Sequence, residues 1–128
     1  MVTSVGAILV DTHYVLWQRT RPQSLTAVER DILINAAIRR ISIVSIWKIA
    51  MLQGLGRVPA DPHLLEVPPG FDLLPVRLSH CEAYGRLPLH HRDPFDRMLV
   101  AQAQSENLTF LTRDRPMQAY RQNVTILP

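Results

Sequence analysis

Apolar residues in this chain fall into short continuous runs that alternate with stretches of helical spacing. Ala7-Ile8-Leu9-Val10 is a four-residue apolar run ending at Asp11, the pattern of a strand buried on both faces of a parallel sheet. Tyr14 to Trp17 begins a helix. Thr26 and Glu29 stand at capping-box spacing, with Val28, Ile32 and Ala36 following at helical intervals. Ile41 to Val44 is β-branched and predicts a second strand. Ser45 then opens a helix through Met51, stopped by Gly54 and Gly56. Pro59, Pro62, Pro68 and Pro69 mark a loop. Phe71 to Val76 predicts a third, shorter strand, Ser79 to Gly85 a helix, and Leu87 to Arg92 a linker. Asp93-Pro94 is the clearest helix start in the chain. An aspartate at the cap precedes a proline whose missing N–H does no harm at the first helical position. Phe95, Leu99 and Ala103 share that helix's buried face, with Met98 and Val100 at its margins. Leu108 to Thr112 predicts a fourth strand, Pro116 to Tyr120 a helical turn, and Val124 to Leu127 a last edge strand.

This alternation predicts one α/β domain over residues 1–128, with an open, mostly parallel sheet of four to five strands flanked by helices. Repeats, low-complexity tracts and internal linkers are absent from the sequence. Ligands of such sheets bind beyond the carboxyl ends of the strands. Asp11, Lys48 and Asp114 are all predicted at or just past such ends, and Asp96 in the first turn of a helix that starts on the same side.

Size and composition narrow the class. The chain has 128 residues, 47% hydrophobic and 20% charged, enough apolar mass for a single core. No apolar run approaches the roughly 18–20 residues of a membrane span, and Met1 to Gly6 lack the features of a signal peptide. Cys81 is the only cysteine, so no internal disulfide can form and a reducing cytoplasm is the expected location. Cys81 itself is expected to be a small buried hydrophobe rather than a nucleophile. Fourteen Lys and Arg against eleven Asp and Glu give a pI near 9.6, a modest bias toward an anionic partner.

The acids carry the candidate chemistry. Asp11, Asp93, Asp96 and Asp114 each have an ordinary structural use. Asp11 can close an Asx turn, Asp93 can cap its helix, Asp96 can complete a box, and Asp114 can cap a turn. Gathered at one sheet edge, they would repel one another and favour a cation. Clustered carboxylates hold Mg²⁺ or Mn²⁺, hard ions that prefer oxygen. Lys48 breaks the local rule. Ser45-Ile46-Trp47-Lys48 has capping-box spacing with a lysine where the acid belongs, near the positive end of the helix dipole.

The remaining polar motifs are weaker. His90 and His91 are expected on a solvent- or RNA-facing loop, since adjacent histidines seldom face one site. His13 points away from the acids if the first strand continues past Asp11. Gly54-Leu55-Gly56 lacks the context of a nucleotide loop and acts as a helix stop. Trp17 and Trp47 are expected in the core. Arg92, Arg97, Arg113 and Arg115 flank the acids and would make a basic rim suited to a phosphate backbone.

With these motifs in hand, the chain resembles the PIN-domain family, specifically the VapC-type toxins of bacterial type II toxin–antitoxin pairs. The resemblance rests on Leu9-Val10-Asp11-Thr12-His13 with Leu16-Trp17, and on Val44-Ser45-Ile46-Trp47 with Ile49-Ala50. It rests further on Leu87-Pro88, on His91-Arg92-Asp93-Pro94-Phe95-Asp96-Arg97-Met98-Leu99-Val100-Ala101-Gln102-Ala103, and on Leu111-Thr112-Arg113-Asp114. It implies an endoribonuclease dependent on Mg²⁺ or Mn²⁺ that cleaves RNA to halt translation. It also implies a homodimer and a cognate VapB-type antitoxin that blocks the cleft. The family's metal-holding carboxylates map onto Asp11, Asp96 and Asp114, with Asp93 as an extra acid. The family's glutamate after the tryptophan maps onto Lys48, so the expectation for this chain is an inactive centre with the metal weak or absent. The alternative is a natural non-catalytic PIN protein that binds RNA or titrates an antitoxin. A phosphoacceptor signalling domain fits less well, because Thr12 stands where its second acid belongs and the last strand ends without its lysine.

Overall fold

The computed structural model describes residues 5–128. Its centre is a five-stranded sheet, all pairs parallel, in the order β3-β2-β1-β4-β5. The strands are β1 (Val5–Val10), β2 (Ala36–Ser42), β3 (Asp72–Leu74), β4 (Thr109–Leu111) and β5 (Ile126–Leu127). The helices are α1 (Thr12–Thr20), α2 (Ala27–Asn35), α3 (Ile43–Gly54), α4 (Leu78–Arg86) and α5 (Pro94–Ser105). Short 3₁₀ turns cover Pro22–Ser24, Pro62–Leu65 and Arg115–Tyr120.

β1 is apolar on both faces because both faces are covered. Leu9 joins a core shared with Leu99, Val100, Phe110 and Tyr120. Ile8 and Val10 join a second core with Tyr14, Ile32, Ile41 and Ile49. Ile8, Leu9 and Val10 are all fully buried. That two-sided burial explains why the run reads as continuous rather than alternating. At its end the chain turns at once into α1, with Asp11 as the cap accepting from the His13 N–H.

Several boundaries differ from the sequence reading. α2 stops one residue earlier than its periodicity suggests, because Ala36 already begins β2. Ile43 and Val44 are the first turn of α3 instead of the end of a strand. Ser42, not Ser45, is the cap. Its hydroxyl accepts from the Val44 N–H at 3.0 Å and donates to Gln102 Oε1 at 2.5 Å, inside the core. The β-branched pair suggested a strand on propensity alone, and the buried serine overrode it. Lys48 is therefore the sixth residue of α3. It lies past the first turn, so the dipole penalty expected of a third position does not apply, nor does it sit at a strand end. The strands expected at Phe71–Val76, Leu108–Thr112 and Val124–Leu127 are shorter, as the bounds of β3, β4 and β5 show. Cys81 and Trp47 were expected inside and are exposed, Trp47 at 64%.

No described helix is long and apolar enough to cross a membrane.

Candidate functional site

Parallel register places the ends of β1 and β4 side by side. Val10 pairs with Leu111, and the Asp11 N–H donates to Leu111 O at 2.9 Å. Thr112 follows, and its hydroxyl donates to Asp11 Oδ2 at 2.6 Å. The Asp114 N–H then donates to Thr112 Oγ1 at 3.2 Å. Asp11 and Asp114 therefore leave neighbouring strand ends, tied through one threonine. A buried hydrogen bond from Thr12 to Ser45 (2.9 Å) fixes the start of α1 against α3. α3 in turn carries Lys48 toward the N-terminus of α5.

Asp93 caps α5 through Oδ1, which accepts from the N–H groups of Phe95 and Asp96. Its other oxygen, Oδ2, lies 3.2 Å from Lys48 Nζ. The same ammonium is 3.9 Å from Asp96 Oδ1. Asp96 Oδ2 accepts from His91 Nε2 at 3.1 Å. One lysine thus bridges two carboxylates, and a histidine closes the far side of the second. The lysine pairs with Asp93 and Asp96, not with Asp11.

Charge at the site follows from these contacts. Burial pushes the Asp93 carboxyl up, but the Lys48 ammonium and the helix N–H groups outweigh it and hold Asp93 below its ordinary value. Asp96 moves the other way. Burial raises it, the field of Lys48 lowers it, and the nearby charges of Asp93 and Asp11 tip it upward. Asp11 is buried, which alone would raise it, yet the hydrogen bonds from His13 and Thr112 bring it below the normal range. His13 is raised in turn, chiefly by its contact with Asp11 at 3.5 Å. Because the chain turns into α1 directly after Asp11, the strand does not continue and His13 is free to face the acid.

Two other expectations are corrected here. His91 belongs to the cluster, whereas only His90 is turned aside, its ring edge-on to Tyr120. Arg97 and Arg113 do not form a phosphate rim. Arg97 is buried and donates to Pro88 O, Tyr84 O and the Tyr120 hydroxyl. Arg113 is clamped on Glu29, a residue that sequence reasoning treated only as half of a capping box. Glu29 is 1% exposed and also accepts from Tyr14 (2.5 Å) and from the Thr26 N–H (2.8 Å). A glutamate in a capping box carried no signal that its carboxylate would lie in the interior. Arg92 and Arg115 remain exposed, as a rim requires.

Asp11, Asp93 and Glu29 are all depressed, so they act alike under acid. In the unfolded chain they titrate near about 4. Their stabilisation is complete above that value and is lost as the pH falls through the lower folded values. Asp96, raised, opposes them and is relieved by acid. His13, raised, likewise adds stability as the pH falls through its folded value, so melting temperature should hold or rise slightly from neutral pH down to about 5 and fall steeply below 4. A midpoint that drops between pH 7 and 5 would contradict this balance.

A family model for the PIN domain matches residues 8–122. The chain belongs to the PIN-domain family. No curated protein matches it. Solved structures share the fold of this PIN domain at low identity. VapBC2 from Rickettsia felis, bound to a promoter DNA fragment, is 13% identical over 94% of this chain and 97% of that one, with a TM-score of 0.70. DNA-bound VapBC from Salmonella typhimurium is 16% identical over 98% of each chain, at 0.69. VapBC-5 from Mycobacterium tuberculosis is 17% identical over 94% and 95%, at 0.66.

Whether Mg²⁺ or Mn²⁺ suits this PIN domain turns on Lys48. A hard divalent ion needs several oxygen ligands and surplus negative charge. Here an ammonium sits between Asp93 and Asp96, and both Asp11 oxygens already accept hydrogen bonds. Asp114 stands outside the tight donor group, which among the described residues comprises His91, Asp93 and Asp96, with one atom from each within 4.8 Å of the others. The set Asp11, Asp96 and Asp114 with Lys48 charged beside it does not fit such an ion.

Proposed function

We propose that this PIN domain is the toxin half of a type II toxin–antitoxin pair, built to cleave RNA but disabled at its metal centre by Lys48. The observation that carries this reading is the Lys48 ammonium 3.2 Å from Asp93 and 3.9 Å from Asp96, at the edge where Asp11 and Asp114 also end. In a site with a carboxylate at position 48, Mg²⁺ or Mn²⁺ would supply Lewis-acid chemistry toward a phosphodiester. In this chain, Asp93 and Asp96 instead neutralise Lys48, while exposed Arg92 and Arg115 remain available to an RNA backbone. The fold likeness to VapBC complexes supports a VapB-type antitoxin as partner, and a cytoplasmic setting accords with that partnership. The test is cleavage of RNA by the purified chain and by Lys48→Glu, each with and without Mg²⁺.

A second reading keeps Lys48 as native and makes the protein a non-catalytic binder of RNA or antitoxin. The completeness with which Asp93 and Asp96 pair the lysine favours it.

A homodimer is part of the proposal. Trp47, Met51, Leu55, Val76 and Leu78 are exposed apolar residues on α3, just past its end, on α4 and on the segment before α4. Beside them an apolar cavity of about 560 Å³ opens between Trp47, Tyr84, Phe95 and Met98. Light scattering at micromolar concentration should give twice the monomer mass, and a monomer without antitoxin would count against it.

A further inference from the structure

We propose that the open face of the His13 imidazole is a stacking platform for an unpaired base of single-stranded RNA, set against the acidic edge of the cleft. The proposal rests on the reading of the chain as an RNA-acting PIN domain, and it adds the residue that holds a base beside the acids.

The ring is fixed on two sides and open on another. His13 is the second residue of α1, about one helical turn before Trp17. The two rings meet at 5.3 Å between centroids and 31° between planes, so Trp17 backs one face of the imidazole. The Nδ1 edge is turned to Asp11 Oδ1 at 3.5 Å, yet the side chain is still 58% exposed. Trp17 is itself held. Arg113 lies over the indole at 4.2 Å and is clamped on Glu29, and Tyr14 packs edge-on against it at 5.4 Å. A ring held this way has little freedom left to lose when another ring settles on it, which favours binding.

Charge selects the base over the phosphate on this side. Asp11 is buried beside His13, and Asp96 and Lys48 are near enough to act on the imidazole electrostatically. A phosphate placed here meets the Asp11 carboxylate, whereas a neutral base escapes that repulsion. The phosphates have a better place at Arg92 and Arg115, which are exposed and stand next in sequence to Asp93 and Asp114. A base and its own phosphate are one ribose apart. A base on His13 therefore brings its phosphodiester to the edge where Asp11 and Asp114 end.

RNA-binding proteins splay unpaired bases onto His, Phe, Tyr or Trp rings, which a base stacked inside a duplex does not reach. Stacking tolerates any base, so this platform selects single strands over duplex and leaves sequence to other contacts. Trp47 is another exposed ring near Lys48, but it packs against Phe95 on the apolar face assigned above to the dimer.

The experiment is fluorescence anisotropy of a labelled single-stranded RNA about ten nucleotides long with the purified full chain. It is run in chelator, so that binding is read apart from cleavage. His13→Ala should weaken binding about tenfold, the loss of one stacked base, and His13→Phe should restore it to within about twofold. His13→Lys keeps a cation and loses the ring, so it should bind like His13→Ala. Replacing the bases one at a time by abasic ribose should reveal one position that costs the parent about tenfold and costs His13→Ala nothing. Duplex RNA of the same length should bind parent and His13→Ala alike. Equal single-strand binding by parent and His13→Ala would overturn the platform and leave the RNA reading standing. Tight binding by His13→Lys with weak binding by His13→Phe would make the contact one of charge and overturn it as well. No RNA binding by any form would remove the RNA reading itself, and the platform with it.

Discussion

Lys48→Glu should give this chain Mg²⁺-dependent ribonuclease activity well above that of the parent. Two effects act in the same direction. The substitution removes a positive charge that lies 3.2 and 3.9 Å from Asp93 and Asp96, and it adds a carboxylate to the acids of that edge. At about 4 Å and an effective dielectric near 20, one carboxylate–ammonium attraction is of order 4 kcal/mol before desolvation is subtracted. A divalent ion has to overcome that attraction in the present chain and none of it in the variant. A metal's charge stabilisation at a phosphoryl oxygen is worth several kcal/mol, or roughly a thousandfold in rate at about 1.4 kcal/mol per decade. Cleavage by the variant should therefore exceed that of the parent by about three decades, and chelation should abolish it. The variant should also be toxic when expressed without antitoxin. Equal cleavage by the two forms would mean that Lys48 does not control this site. A cost comes with the gain. Without metal, the glutamate form places another anion beside Asp93 and Asp96, so it should melt lower than the lysine form in chelator and recover with Mg²⁺.

Glu29→Ala should produce the largest loss of stability among single polar substitutions. The carboxylate accepts from Tyr14 Oη, from the Thr26 N–H and from two Arg113 nitrogens, and it is buried. Removing it strands Tyr14 in the core and leaves Arg113 stacked over Trp17 at 4.2 Å without its counter-charge. The Arg113 side chain is 40% exposed, so water takes up much of its lost pairing, and the cost falls mainly on the buried Tyr14 hydroxyl and the Thr26 cap, about 1–3 kcal/mol. In a domain of this size that is roughly 4–10 °C of melting temperature. Glu29→Gln should fall between the parent and Ala, because an amide keeps an acceptor. A loss below about 1 kcal/mol for Glu29→Ala, measured by urea unfolding, would mean that solvent already screens the pair.

The sequence revealed the class of fold because its strongest signals were local. The Ile8-Leu9-Val10 run, the Thr26–Glu29 box and the Asp93-Pro94 start are each settled by a few neighbouring residues, and each forms where expected. Its failures came where a distant partner decides. Ser42 caps α3 while bonded to Gln102, sixty residues on in sequence. Ile43 and Val44 consequently enter a helix despite their propensity. The acids were legible individually, but their partners were not. His91 meets Asp96 because the linker doubles back onto Tyr120, and Arg113 turns from the candidate rim to Glu29. Trp47 looks like core by composition, yet α3 presents it outward against the edge of Phe95.

The order of the strands also bears on how the protein is made. β1 is synthesised early and lies in the middle of the sheet, and its neighbour β4 begins only at Thr109. Asp11 receives the hydroxyl of a residue 101 positions further along. While the ribosome is still translating α5, one long edge of β1 is bare and the acidic edge lacks its Asp114 side. The cleft is closed by a segment made about a hundred residues after Asp11. A nascent chain of this topology should hold no assembled centre until β4 and Asp114 have emerged, and truncation before Thr109 should yield a sticky, aggregation-prone fragment instead of a smaller working domain.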